Sequence, residues 1–180
     1  MKDRFIVFDT ETPNLQNNRI SAIGISVVEN GRITEEFFSL VDPEVHFDAF
    51  NIRLTGISPE VVEGQPTFPQ LWEAIAPLMG SGLLVAHNAP FDMGVLGKCL
   101  QAYDIDWRPW ARYACTCRMS RACLPEAPNH KLNTLCQWLG LELQHHNAGS
   151  DAHAAAELLL YCLRHEVQVR DFIRTYRFAR

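Results

Sequence analysis

Two carboxylates stand two residues apart in Phe8-Asp9-Thr10-Glu11, where the apolar run Arg4–Phe8 ends. Along an extended strand, side chains at i and i+2 leave from the same face, so Asp9 and Glu11 point into one space. Like charges held that close repel, and neither ionises readily without a cation between them. The pair reads either as solvated acids at a strand end or as ligands of a hard cation, and the apolar strand leading into it favours ligation. Two more acids stand at helix starts. In Ala86-His87-Asn88-Ala89-Pro90-Phe91-Asp92 the proline suits the first helical position, which sets Asp92 in the first turn. In Gly149-Ser150-Asp151 the serine reads as an N-cap, with Asp151 just inside an alanine-rich helix. Either acid also has a structural reading, because the helix dipole favours a first-turn carboxylate by ~0.3–1 kcal/mol. His146 lies in the polar loop before that helix, where it serves a site or is simply exposed.

The elements that must position these groups follow from patterning. Arg4–Phe8 and Ile20–Val28 read as strands, and Glu29-Asn30-Gly31 turns the second into a third over Arg32–Val41. Short helical pieces are predicted at Phe47–Leu54 and Pro59–Val62, and a 3.6-residue period predicts a helix over Phe68–Met79. Gly82–Ala86 is a fourth strand, followed by a helix starting at Pro90, and Tyr113–Thr116 is a weaker fifth strand. Helices follow at Leu132–Leu139, from Asp151 to about Val167, and again to Phe178. The expected architecture is α/β: a mixed five-stranded sheet with helices on both faces. The chain, residues 1–180, reads as one domain, with residues 168–180 as an appended basic helical segment.

The 180 residues are 47% hydrophobic and 21% charged, the profile of a globular protein rather than a disordered one. The net charge of −5 argues against holding nucleic acid by bulk electrostatics. Basic residues are nevertheless bunched, at Arg108, Arg112, Arg118, Arg121 and Lys131, and again at Arg164, Arg170, Arg174, Arg177 and Arg180. No signal peptide or membrane-spanning run is apparent, so the expected compartment is the reducing cytoplasm, with the six cysteines as free thiols. Cys115, Cys117, Cys123 and His130 lack the paired knuckle spacing of a zinc site.

Taken together, F-D-T-E-T, H-N-A-P-F-D and H-N-A-G-S-D resemble, in order and separation, the three motifs of the DEDDh family of 3′–5′ exonucleases. That family includes the proofreading subunit of bacterial replicative DNA polymerase, exonuclease X and ribonuclease T. The resemblance covers nearly the whole chain and implies a ribonuclease-H-like fold. It implies Asp9, Glu11, Asp92 and Asp151 as metal-binding acids and His146 as the catalytic histidine, with His145 as a bystander or a support to the site. Thr10, Asn88 and Phe91 match positions near the terminal nucleotide, and Leu15 and Gln16 match residues that press on the last base. The chain departs from the family at Pro13-Asn14, Ala22 and Cys115.

The implied chemistry is phosphodiester hydrolysis with two divalent cations, Mg²⁺ or Mn²⁺, held by the four acids. His146 would take a proton from the attacking water, and nucleoside 5′-monophosphates would leave one at a time from DNA or RNA 3′ ends. The resemblance admits a homodimer and no membrane partner. Because the chain stops soon after the long helix, a stand-alone enzyme is favoured over a proofreading subunit of a polymerase. A catalytically inactive nucleic-acid-binding module would share the same motifs but not need all four acids and the histidine. A haloacid-dehalogenase phosphatase also carries an acid at the end of its first strand, but needs a second aspartate where Glu11 stands.

Overall fold

A computed structural model describes residues 4–178. The first three strands, β1 (Arg4–Glu11), β2 (Ala22–Glu29) and β3 (Arg32–Leu40), form an antiparallel meander. Asn30 and Gly31 both take positive φ, 52° and 74°, the backbone that a two-residue hairpin turn requires. Three helices follow: α1 (Ala49–Thr55), the short α2 (Pro59–Val62) and α3 (Phe68–Met79). Thr67 and Gln70 close a reciprocal capping box at the start of α3. Strand β4 (Leu83–Ala86) returns parallel to β1 and leads into α4 (Pro90–Ala102). Then come β5 (Trp110–Cys115), α5 (Thr116–Cys123), α6 (Leu132–Leu139) and α7 (Ala148–Arg164).

The sheet has six strands in the order β3-β2-β1-β4-β5-β6, one more than the sequence predicts. The extra strand lies where the sequence predicts a final helix. Residues 169–172 form a single 3₁₀ turn, and Arg174–Arg177 form β6, antiparallel to β5. Arg-Thr-Tyr-Arg lacks an apolar alternation, so its pairing comes from an open sheet edge rather than from local preference. Residues 179 and 180 of the expected segment lie outside the described residues.

Strand β1 is central and buried on both faces, and its period of two divides the core. Ile6 and Phe8 join one cluster with Phe68, Trp72 and Met93 under α3 and α4. Phe5 and Val7 join the other with Ala154, Ala155 and Leu158 under α7. The small alanines let α7 lie close to the sheet. At Gly24 of β2 the approach is closest, since a β-carbon there would stand 2.0 Å from the carbonyl oxygen of Ala148. Among the described residues no helix is long and apolar enough to cross a membrane.

Candidate active site

The alternation that divides the core also distributes the carboxylates. Asp9 and Glu11 continue the odd-numbered face of β1, toward α7, whereas Thr10 continues the face toward α4. The three residues therefore bridge the two helix layers where the strand ends.

On the α7 side, Asp9, Glu11 and Asp151 each bring a carboxylate oxygen within 4.8 Å of the others. On the α4 side, Thr10 donates both its backbone N–H and its hydroxyl to Asp92 Oδ1, each at 3.0 Å. Pro90 opens α4 and sets Asp92 at its third position, as the sequence predicts. Helix α7 starts earlier than expected. Asn147, not Ser150, is its cap, accepting from the Ser150 N–H at 3.1 Å, and Asp151 lies one turn inside. The capping side chain is chosen by where the chain turns, at His146, whose φ is +66°.

That turn folds the preceding loop back over Asp151. The His146 N–H donates to Asp151 Oδ2 at 2.8 Å, while His145 Nδ1 meets Asp151 Oδ1 at 3.0 Å. The two imidazoles stack with centroids 3.9 Å apart. Of the two, His145, a bystander or a support to the site by sequence, sets its ring on Asp151, whereas His146 reaches that acid through its backbone. Burial and the neighbouring His145 hold the His146 pKa below its usual value, with Asp151 opposing.

Glu11, Asp92 and Asp151 are buried and Asp9 is partly so. Burial raises the Asp9 carboxyl well above the ordinary carboxylate range, and the charges of Asp92, Asp151 and Glu11 add to it. Glu11 is pushed up to about 8 by burial and then by Asp151 and Asp92. Burial lifts Asp92 to about 7, against the hydrogen bonds from Thr10, which pull it down. Buried acids with so little local compensation are what a hard cation satisfies, so the donor set fits divalent metal ligation.

A cleft of about 630 Å³ opens over the acids. Thr10, Asn88 and Phe91 line it, as do all four acids, His145 and His146. Leu15 and Gln16 do not: they lie on the exposed turn after β1, where the Leu15 N–H donates to Asp48 Oδ2 at 3.0 Å. The lining also includes residues that motif spacing does not single out. His87 holds Thr116 Oγ1 at 3.0 Å and the His130 carbonyl at 2.9 Å, tying the end of β4 to α5 and to the loop before α6. Burial pushes the His87 pKa down to about 4, so it is a neutral tether. Lys131, next in sequence, is the one Lys or Arg lining the cleft among the described residues.

The profile of the exonuclease family matches residues 6–159. The chain is 34% identical over 182 residues to a DNA polymerase III of PolC type from Clostridium perfringens, covering 94% of this chain and 12% of that protein. It is 38% identical over 161 residues to the PolC-type polymerase of Oceanobacillus iheyensis, covering 88% and 11%. The chain thus spans only a small fraction of the polymerases it matches. Among solved structures, exonuclease X in complex with 5′ overhanging duplex DNA superposes with a TM-score of 0.72 at 25% identity, over 94% of this chain and 96% of that one. The nuclease domain of 3′hExo, a DEDDh family member bound to rAMP, shares the fold with a TM-score of 0.77 at 18% identity, over 99% and 97%. The chain belongs to the exonuclease family.

Proposed function

We propose that this chain, acting as one domain, hydrolyses the terminal phosphodiester at the 3′ end of DNA or RNA and releases nucleoside 5′-monophosphates. The observation that carries this is the convergence of Asp9, Glu11 and Asp151 within 4.8 Å, with Asp92 beside them on the same cleft. These four acids would hold two divalent cations, Mg²⁺ or Mn²⁺. Bound there, such ions would neutralise phosphate charge and make water a better nucleophile.

The chain's own groups supply the rest. His146, with its pKa lowered, is neutral near pH 7 and can take a proton from the attacking water. Thr10 fixes the Asp92 carboxylate through two hydrogen bonds and so sets the spacing between β1 and α4. Asn88 and the half-exposed ring of Phe91, in the cleft lining, would meet the terminal nucleotide. Leu15, 69% exposed, and Gln16 would press on the last base from outside the cleft.

The test is a panel of 5′-labelled single- and double-stranded DNA and RNA, with free or phosphate-blocked 3′ ends, in Mg²⁺, Mn²⁺ or EDTA. Metal-dependent shortening one nucleotide at a time from free 3′ ends is expected. Internal cuts, or hydrolysis in EDTA, would reject the reading.

A second reading, proofreading for a polymerase, is favoured by the PolC-type relatives. It predicts faster removal of a mispaired than of a paired 3′ nucleotide, and equal rates would count against it.

A further inference from the structure

The strand ends opposite the acid cleft border a second concavity of about 710 Å³. Arg4 and Glu11 are the two ends of β1, roughly 23 Å apart at about 3.3 Å per residue, so the two sites are separate. Arg4, Arg108, Arg112 and Arg170 all reach the second cavity, and among the described residues no Asp or Glu lines it. In a chain with a net charge of −5, that local excess is unusual. Arg4 is partnered by Glu29 at 2.7 Å, and the exposed Arg170 stands 3.8 Å from Asp171. Arg108 and Arg112 enter no ion pair among the described residues.

Arg108 is held in place from two sides. Its guanidinium carbon sits 3.9 Å from the centroid of the Trp107 ring. Its terminal nitrogen occupies the space beside Gly80, where a β-carbon would come within 2.5 Å of it. Phe5 and Leu84 give the cavity an apolar floor, and Trp110, 51% exposed, stands in its wall. One guanidinium held in place, two exposed ones on the same cavity and a half-exposed indole match a phosphate joined to a planar base.

We propose that this cavity is a second binding site, for a nucleotide unit whose phosphate is held by Arg108, Arg112 and Arg170 and whose base lies against Trp110. The choice of a nucleotide over another planar anion rests on the exonuclease reading. The unit is either a free mononucleotide or one residue of a longer strand, and the two sources separate by experiment.

Binding is measured in EDTA, where the uncompensated acids of the cleft repel phosphate and the arginine cavity alone attracts it. Thymidine 5′-monophosphate is titrated by calorimetry and a labelled twelve-nucleotide single strand by fluorescence anisotropy. The proteins are the wild type, Arg112→Ala/Arg170→Ala, and a control removing two distant charges, Arg32→Ala/Lys98→Ala; all four side chains are exposed. The cavity variant is expected to bind at least about tenfold more weakly, while the control stays near wild type. Mononucleotide binding that the cavity variant loses identifies the free nucleotide as the source. Oligonucleotide binding alone, lost in the same variant, identifies the strand. If the wild type binds neither probe, or the cavity variant and the control behave alike, the site does not exist. With Mn²⁺, hydrolysis of the p-nitrophenyl ester of thymidine monophosphate should be equal in all three proteins. Failure of the wild type there would overturn the exonuclease reading without touching the binding result.

Discussion

The cleft and the layer just beneath it, between β1–β2 and α7, are built on opposite terms. In the cleft, carboxylates crowd together and several are held above their ordinary pKa by burial and by one another. Below it, the alanines of α7 lie on strands whose apolar side chains are buried, and backbone meets backbone at Gly24 and Ala148. The first region opposes folding unless a cation is present; the second supplies the packing that holds those groups in place. The site can stay in electrostatic conflict because its acids come from elements whose positions are set elsewhere.

The largest expected effect removes the conflict itself. Asp9→Asn should lower the rate of oligonucleotide hydrolysis by more than about 10³-fold. The same change should raise the melting temperature of the metal-free protein, because a disfavoured charge is gone. Paired rate and melting measurements check both, and a variant that is active and less stable would break the contrast. Next in size, His146→Ala should slow turnover by ~10²–10⁴-fold. Its melting temperature and oligonucleotide KM should stay near wild type, and an unchanged kcat would remove His146 from the chemistry.

The packed layer answers differently. Gly24→Ala places a methyl group against the Ala148 carbonyl and should cost about 1–3 kcal/mol as overpacking. For a chain of this size that lowers the melting temperature by roughly 2–4 °C per kcal/mol. Activity should fall with it, since the displaced helix start carries Asp151 and the His146 turn. A drop in activity with no change in melting would show that the layer does not govern the site.

The smallest effect is the pH dependence of metal-free stability. A carboxyl whose pKa is higher folded than unfolded costs nothing at low pH, where both states hold the proton. The penalty grows as pH rises from the ordinary carboxylate range, about 4, through the folded values near 7 for Asp92 and 8 for Glu11. Melting should therefore decline between pH 5.5 and 8.5, less steeply in Glu11→Gln and least with Mn²⁺ present. A flat profile would mean that the acids are solvated and the conflict is absent.

Much of this is legible in the sequence because it lies in fixed spacings. Asp9 and Glu11 share a face by strand period, and Pro90 sets the position of Asp92 in its helix. The extra strand β6 is not legible, since a polar Arg-Thr-Tyr-Arg segment gains its pairing only from the edge that β5 leaves open. Helix α5 escapes notice for a similar reason: Thr116–Cys123 is short and poor in apolar residues, and it is shaped by its contacts with α7 and with the His87 tether. The contact of the His145 ring with Asp151 depends on the positive φ of His146, which spacing alone does not reveal. Leu15 and Gln16 are named from resemblance, and the fold puts them on an exposed turn outside the cleft lining.

The seat of α7 on β1 and β2 has a further consequence for how the protein is made. Asp9 and Glu11 leave the ribosome some 140 residues before the His146 turn and Asp151. Until α7 docks, the early acids have neither their third neighbour nor the imidazole loop. A growing or truncated chain therefore lacks the complete acid cluster until α7 is in place. Under the proposed function, the order of the elements itself withholds hydrolysis until α7 has docked.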